Sequence, residues 1–214
     1  MCPQAQQKDG MIPPRSHAER SRRTRRALLD VGREFFTDPG YARISTEAIV
    51  RRADMTRGAF YYHFPGKAAL FAAVFEEVCQ EYIHAVQTRM ETAEGDTWER
   101  FMGSLGVLLE QLGRPSVQRI VYVDGPAILE WSSVRHRAPD FQFLRAVFAQ
   151  LRSEGFIAPL PLDPCTHLVQ ALCSQAALYI ARAEERAVAQ RDMTAVLRRL
   201  LDGLRPSQAA EGQV

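Results

Sequence analysis

From Ser16 to Leu204 apolar residues recur at helical spacing, and no stretch reads as a strand. Ala27, Leu28, Val31, Phe35 and Phe36 fall on one face and predict a first helix over Ser16–Thr37, ended by Asp38-Pro39-Gly40. Leu70, Val74, Val78, Tyr82 and Val86 recur every four residues, with Phe71 and Phe75 widening the stripe. They predict one long helix from Lys67 to about Glu91. Trp98, Phe101, Met102, Leu105, Leu108 and Leu109 predict a helix over Asp96–Leu112, broken by Gly113 and Pro115. A short segment, Ser116–Val123, follows. Asp124 then reads as a helix cap, with Pro126 in the permitted first turn. Pro139 restarts the helix, which carries Phe141, Leu144, Val147 and Leu151 to Gly155. Beyond the loop Pro159–Pro164, Asp163 reads as the cap of a helix reaching about Arg186. Met193, Val196, Leu200 and Leu204 stripe a last one over Arg191–Leu204. The fold expected is all-α, with no internal repeat.

Two further helices are short and close together, within Ile44–Leu70. Ser45 caps the first, with Ile44 before it and Ile49 at the fourth helical position, the spacing of a hydrophobic staple. The same grammar returns with Thr56 as cap, Met55 before it and Phe60 as staple partner. Ala53-Asp54 must turn sharply between them, and Asp is one of the few non-glycine residues that tolerate a left-handed backbone. Two stapled helices this close make a helix-turn-helix. The second, Thr56 to Phe64, starts with small residues apart from Arg57, so its backbone suits close approach to a partner. Pro65-Gly66 stops it.

Charge sharpens this picture. Residues 15–67 hold 12 Lys/Arg against 6 Asp/Glu, a net +6, which leaves −4 for the rest of a chain totalling +2. A basic head on a mildly acidic body suits a DNA-binding module fused to something else. Hydrophobic content of 46% and 24% charge are ordinary for a soluble globular protein. No apolar run reaches the roughly 18 residues needed to span a membrane, and the N-terminus lacks an apolar signal core. The polar residues 1–15 read as a disordered arm, 16–65 as the head, 66–205 as the body and 206–214 as a flexible tail.

Few residues point to catalysis or metal. Cys2, Cys79, Cys165 and Cys173 show no metal-type spacing, and His167 beside Cys165 has no second His at ligand distance. Small core residues explain the cysteines, with a redox-sensing thiol as the alternative. No glycine-rich phosphate loop or nucleophile elbow is present. Asp124, Glu130 and Asp140 read as caps or surface residues. No cofactor and no metal are expected. In the aromatic run, Phe60 and Phe64 lie four apart on a core-facing side. Tyr61, Tyr62 and His63 cannot all share it, and exposed aromatics there suit phosphate and thymine-methyl contact. The body carries more large apolar side chains than a small bundle needs: Trp98, Phe101, Met102, Leu105, Tyr122, Ile128, Trp131, Phe143 and Phe148. Core packing is one explanation. A pocket for a mainly apolar ligand, oriented by groups such as His84, Asp124 or Arg145, is the other.

The stretch carrying Thr46, Ile49, Ala53, Thr56-Arg57-Gly58, Phe60-Tyr61-Tyr62-His63-Phe64, Lys67 and Leu70 resembles the DNA-binding domain of the TetR family of bacterial transcriptional regulators. The likeness runs from about Arg20 to about Val78. The family usually has Gly where this chain has Asp54. Asp124-Gly-Pro-Ala followed by Trp and Arg looks, more loosely, like a TetR C-terminal variety. The resemblance implies a three-helix head, a body of about six helices, and a cytoplasmic homodimeric regulator, most often a repressor. Its partners would be double-stranded operator DNA and a small-molecule effector, with no membrane. DNA contacts are then expected from Thr24, Thr46, Thr56, Arg57, Gly58, Tyr61, Tyr62, His63 and Lys67. The last two helices of each protomer would form the dimer interface, through Leu168, Leu172, Ala176, Tyr179, Leu197 and Leu201. An all-α enzyme acting on a small apolar substrate is the alternative from another class.

Overall fold

The computed structural model describes residues 17–129 and 138–206. Its order is α1 (His17–Thr37), a 3-10 turn (Tyr41–Arg43), α2 (Thr46–Arg52), α3 (Arg57–His63) and α4 (Lys67–Thr92). There follow α5 (Thr97–Leu112), a π-helical segment (Val117–Asp124), α6 (Gly125–Ile128), α7 (Pro139–Ser153), α8 (Leu162–Arg182) and α9 (Arg186–Asp202). Every described element is helical, as the apolar spacing predicts.

The head forms as its caps dictate. Ser45 Oγ accepts from Ala48 N–H at 3.2 Å and Thr56 Oγ1 from Ala59 N–H at 3.1 Å, each meeting an orphan donor of the helix it starts. Asp54 turns the chain with φ 53°, the left-handed conformation that Asp tolerates. Leu28, Phe36, Ile49, Phe60 and Leu70 are fully buried where α1–α4 meet. Phe36, Tyr41 and Phe71 pack as an aromatic triad with ring centroids 5.2–5.7 Å apart. Arg26–Glu77 at 3.1 Å and Arg33–Glu81 tie α1 to α4 on the surface, each contributing little against water.

The body is built around α4, whose Val74, Val78, Tyr82 and Val86 are all buried. α5 lies against it, started by a reciprocal cap in which Asp96 and Glu99 serve each other's backbone N–H. α8 and α9 pack on each other and on α5. One apolar core runs from head into body, and a smaller cluster of Leu109, Ala176, Ile180, Ala189 and Leu197 joins α5, α8 and α9.

Three local expectations are corrected. Asp124 does not cap a helix. It is helical itself, and its carboxylate accepts from the Tyr41 N–H at 3.0 Å and from Arg119 Nε at 3.1 Å. The preceding segment is a π-helix leading straight into α6. α8 starts two residues early, with Pro161 in place of Asp163 at the cap, and Asp163 pairs with Arg145 at 2.6 Å. Finally, α8 ends at Arg182 and α9 begins at Arg186, so the connection between them is shorter and earlier than the spacing suggested.

Candidate nucleic-acid interface and body cavity

α3 presents one face to the core and another to solvent. Phe60 and Phe64 turn inward, with Phe64 also covered by the Arg25 guanidinium at 5.2 Å from its ring centroid. Tyr62 is 71% exposed and Tyr61 47% exposed, so the aromatic run divides as the helical geometry requires. His63 is half-buried beside Tyr62; burial, then the Arg25 charge, hold its imidazole below the usual range. Arg57 stands in solvent at the first helical position, 6.0 Å from the Tyr61 ring and 3.5 Å from Glu47. Glu47 was not foreseen as a partner. It sits at the start of α2, where an acid suits the helix dipole, and only the fold brings it to Arg57.

Gly58 is exposed, and a methyl group there would meet no atom closer than Thr56 Oγ1 at 3.9 Å. No internal contact explains the glycine. Thr56 is exposed but occupied as a cap, while Thr24, in the first half of α1, and Thr46, at the start of α2, are half-buried. Arg20, Arg22 and Arg23 on α1 are exposed.

Lys67 departs from expectation. Its ammonium donates to the Tyr41 carbonyl at 3.0 Å and the Ile44 carbonyl at 2.7 Å, and lies 4.0 Å from the Tyr41 ring centroid. Burial pulls its pKa below the ordinary lysine value. This side chain staples the loop between α1 and α2 and is not turned toward an outside phosphate.

The body holds a partly open cavity of about 40 Å³ between α4, α5, α7, α8 and the π-helical segment. Of the foreseen pocket residues, Phe101, Tyr122 and Phe143 line it. Leu105 and Phe148 are instead fully buried core, and Ile128 is partly buried against that core. Trp98 and Met102 face an open groove at the other side of α5, where Arg205 covers the Trp98 ring at 5.5 Å and Arg198 donates to the Met102 carbonyl. Trp131 and Glu130 lie outside the described residues. The polar groups also differ from those foreseen. His84 is exposed, while Arg145 and Asp124 are engaged as described above. The cavity wall holds Tyr82, Ser104, Asp140 and Gln170 in their place. Asp140 follows Pro139 in a first helical turn, which reads as a surface acid, yet it is 4% exposed. Gln170 interrupts the apolar surface of α8, a signal in the sequence for a buried polar contact.

The dimer candidates divide. Leu168, Leu172 and Tyr179 are 65%, 42% and 59% exposed, and Val196 and Leu200 join them from α9. Ala176, Leu197 and Leu201 are at most 2% exposed inside the protomer and are corrected to core. The thiols of Cys79, Cys165 and Cys173 are buried, and burial pushes Cys173 up to about 12. A redox sensor needs an exposed thiol of lowered pKa. Among the described residues no group of His, Cys, Asp and Glu is placed to hold a metal, and no helix is long and apolar enough to cross a membrane.

A capped helix-turn-helix with an exposed second helix, set on an all-α body with an internal cavity, defines a DNA-binding regulator class. Comparison with known proteins agrees. Residues 28–74 match the bacterial regulatory proteins of the tetR family, and residues 98–204 match the tetracyclin repressor-like C-terminal domain. A TetR-family transcriptional regulator from Pectobacterium atrosepticum is 32% identical, with a TM-score of 0.68 over 90% of this chain and 99% of that one. The A-factor receptor protein of Streptomyces griseus is 40% identical over 58 residues, 27% of this chain and 21% of that protein. The regulator AcrR of Shigella flexneri is 36% identical over 62 residues, 29% of each. The chain thus spans less than a third of either curated relative. It belongs to the TetR family of transcriptional regulators.

Proposed function

We propose that this chain is a homodimeric repressor that holds a near-palindromic operator and leaves it when a small, largely apolar molecule enters the body. Residues 16–65 serve as the DNA-binding head and 66–205 as the ligand-binding and dimerising body. The carrying observation is the solvent face of α3. Arg57, Gly58, Tyr61 and Tyr62 are exposed together there, and the glycine has no packing reason of its own. Arg57 reads a base, releasing Glu47 to do so, because a guanidinium matches the two acceptors of guanine. Tyr61, Tyr62, His63, Thr24 and Thr46 position the backbone, with Arg20, Arg22 and Arg23 adding phosphate contacts. The exposed apolar stripe of α8 and α9 supports dimerisation, and the body cavity supports an effector. A related sequence named as the repressor DhaR, from a Mycobacterium, is 25% identical over 88 residues, which favours repression over activation. The protein acts in the cytoplasm, at DNA.

The test is nuclease protection of the DNA flanking its own gene, with Arg57→Ala beside the parent. The parent protects a near-palindromic site, and the variant loses discrimination at one base pair per half-site, about 1–3 kcal/mol. Equal sensitivity of both proteins to every base change removes Arg57 from the readout. No protected site at all removes the operator reading.

A further inference from the structure

An acid stands beside the residue assigned to base reading. Asp30 pairs with Arg26 and Glu34 with Arg52, all on α1 and α2. Glu47 instead reaches from α2 to α3, its Oε1 3.5 Å from Arg57 Nη2. Both side chains stand in solvent, and Arg57 shares the exposed face of α3 with Gly58, Tyr61 and Tyr62. Hydrogen bonding to its own backbone N–H, then to Ser45, and the Arg57 charge hold the Glu47 carboxyl below the usual range. It is therefore ionised at neutral pH. The contact joins one carboxylate oxygen to one guanidinium nitrogen, longer than a good charged hydrogen bond. A solvated pair of this kind adds little to stability. An acid in the first turn of α2 suits the helix dipole, but that role asks nothing of Arg57.

We propose that Glu47 is a specificity-determining residue that acts through Arg57, holding the guanidinium off DNA until guanine offers it two acceptors. This role rests on Arg57 as the base contact of the operator reading above. A phosphate attracts a guanidinium by charge, and a carboxylate beside the guanidinium offsets that attraction. On unrelated sequence Arg57 therefore stays with Glu47 and releases no counterion from the DNA. Guanine attracts by geometry instead, since O6 and N7 accept from two N–H groups at once. There Arg57 leaves Glu47, and the pair given up is weak because water screens it. Glu47 thus lowers affinity for wrong sites more than for the operator, which is specificity gained by weakening the competitor. An uncharged residue in its place frees Arg57 to take a phosphate on any sequence.

The experiment compares the full-length parent, Glu47→Gln, Arg57→Ala and the double variant across a salt series. The probes are the nuclease-protected operator and poly(dA-dT), which offers no guanine and needs no operator to be known. Glu47→Gln should raise affinity for poly(dA-dT) about tenfold and steepen its salt slope by about one per half-site. Operator affinity should rise about threefold at most, so the ratio of operator to poly(dA-dT) affinity falls at least about threefold. With Arg57→Ala already present, Glu47→Gln should change neither slope nor ratio. Glu47→Ala should repeat the result, which covers a loss of folding in either variant. A poly(dA-dT) slope unchanged by Glu47→Gln overturns the proposal; a helix-dipole role alone would lower the melting temperature and leave that slope where it was. An equal effect with and without Arg57 also overturns it, because the carboxylate then merely repels DNA. If Arg57→Ala loses base discrimination but Glu47→Gln changes nothing, the base contact stands and the role of Glu47 falls. If Arg57→Ala keeps discrimination while Glu47→Gln steepens the slope only when Arg57 is present, the restraint stands and the base contact falls.

Discussion

Gly58 lies in the first turn of α3, where any residue with a Cβ would restrict the unfolded chain more and favour the helix. Nothing in the protomer fills the space beside it. Gly58→Ala should therefore raise the melting temperature slightly, by a stability gain of up to about 1 kcal/mol. If the backbone approaches a groove there, the same variant binds operator DNA several-fold more weakly. A variant that is stabilised and binds DNA like the parent would show that close approach is not needed. Lys67 makes the opposite case. Its ammonium meets two carbonyls and a ring inside the head. Lys67→Met keeps the stem and removes those bonds, leaving two half-buried carbonyls short of a donor. The expected cost is about 1–3 kcal/mol of stability in a denaturant titration. The dependence of DNA affinity on salt should stay at the parent's slope, since no phosphate contact is lost. A slope lowered by about one per half-site would return Lys67 to the DNA.

At the scale of elements, the head was legible because its signals are local. Ser45, Thr56 and Asp54 act within three residues of themselves, and the structure uses each as the sequence implies. The π-helical segment was not legible for the converse reason. Asp124 before Gly125-Pro126 has every local mark of a cap, but its carboxylate is taken by the Tyr41 N–H, 83 residues away in sequence. Arg119 completes the contact, and its guanidinium lies over Gly40, where a Cβ would sit 2.1 Å from Nη2. Gly40, at φ 103°, is thus required twice, by its backbone and by its neighbour. Tyr122 lines the cavity two residues before Asp124, so this short segment joins the cavity wall to the head directly. Asp124→Ala should leave α1–α3 folded and free the Tyr41 amide. Hydrogen exchange at that amide is then expected to quicken at least about tenfold, a loss of roughly 1.4 kcal/mol of local protection. Unchanged exchange would show that the turn is held by Lys67 and the aromatic triad alone.

For the whole molecule, periodicity identified which helix faces are apolar but not which of them the protomer covers itself. α8 is apolar over a broad arc, so spacing alone admits Leu172 and Ala176 equally as contacts to a second copy. Packing on α5 and α9 decides between them, leaving Leu172 42% exposed and Ala176 2% exposed. Leu172 also shares a groove with Leu168 from α8, Leu200 from α9 and Leu204 just beyond it, bounded by Leu160 and Pro164. An exposed apolar face of this kind on two adjacent helices is the part of the surface most costly to leave in water. Charge placed on it should separate protomers, whereas charge placed at Ala176 should unfold them. The double variant Leu172→Asp with Leu200→Asp is expected to sediment as a folded monomer with the parent's helical circular dichroism. Its operator affinity should fall about a hundredfold or more, because a second head no longer binds as a tethered partner. Ala176→Asp should instead lose helical signal at a markedly lower temperature. A double variant that still sediments as a dimer would place the interface on another face of the body, and the groove of α8 and α9 would then need a different occupant.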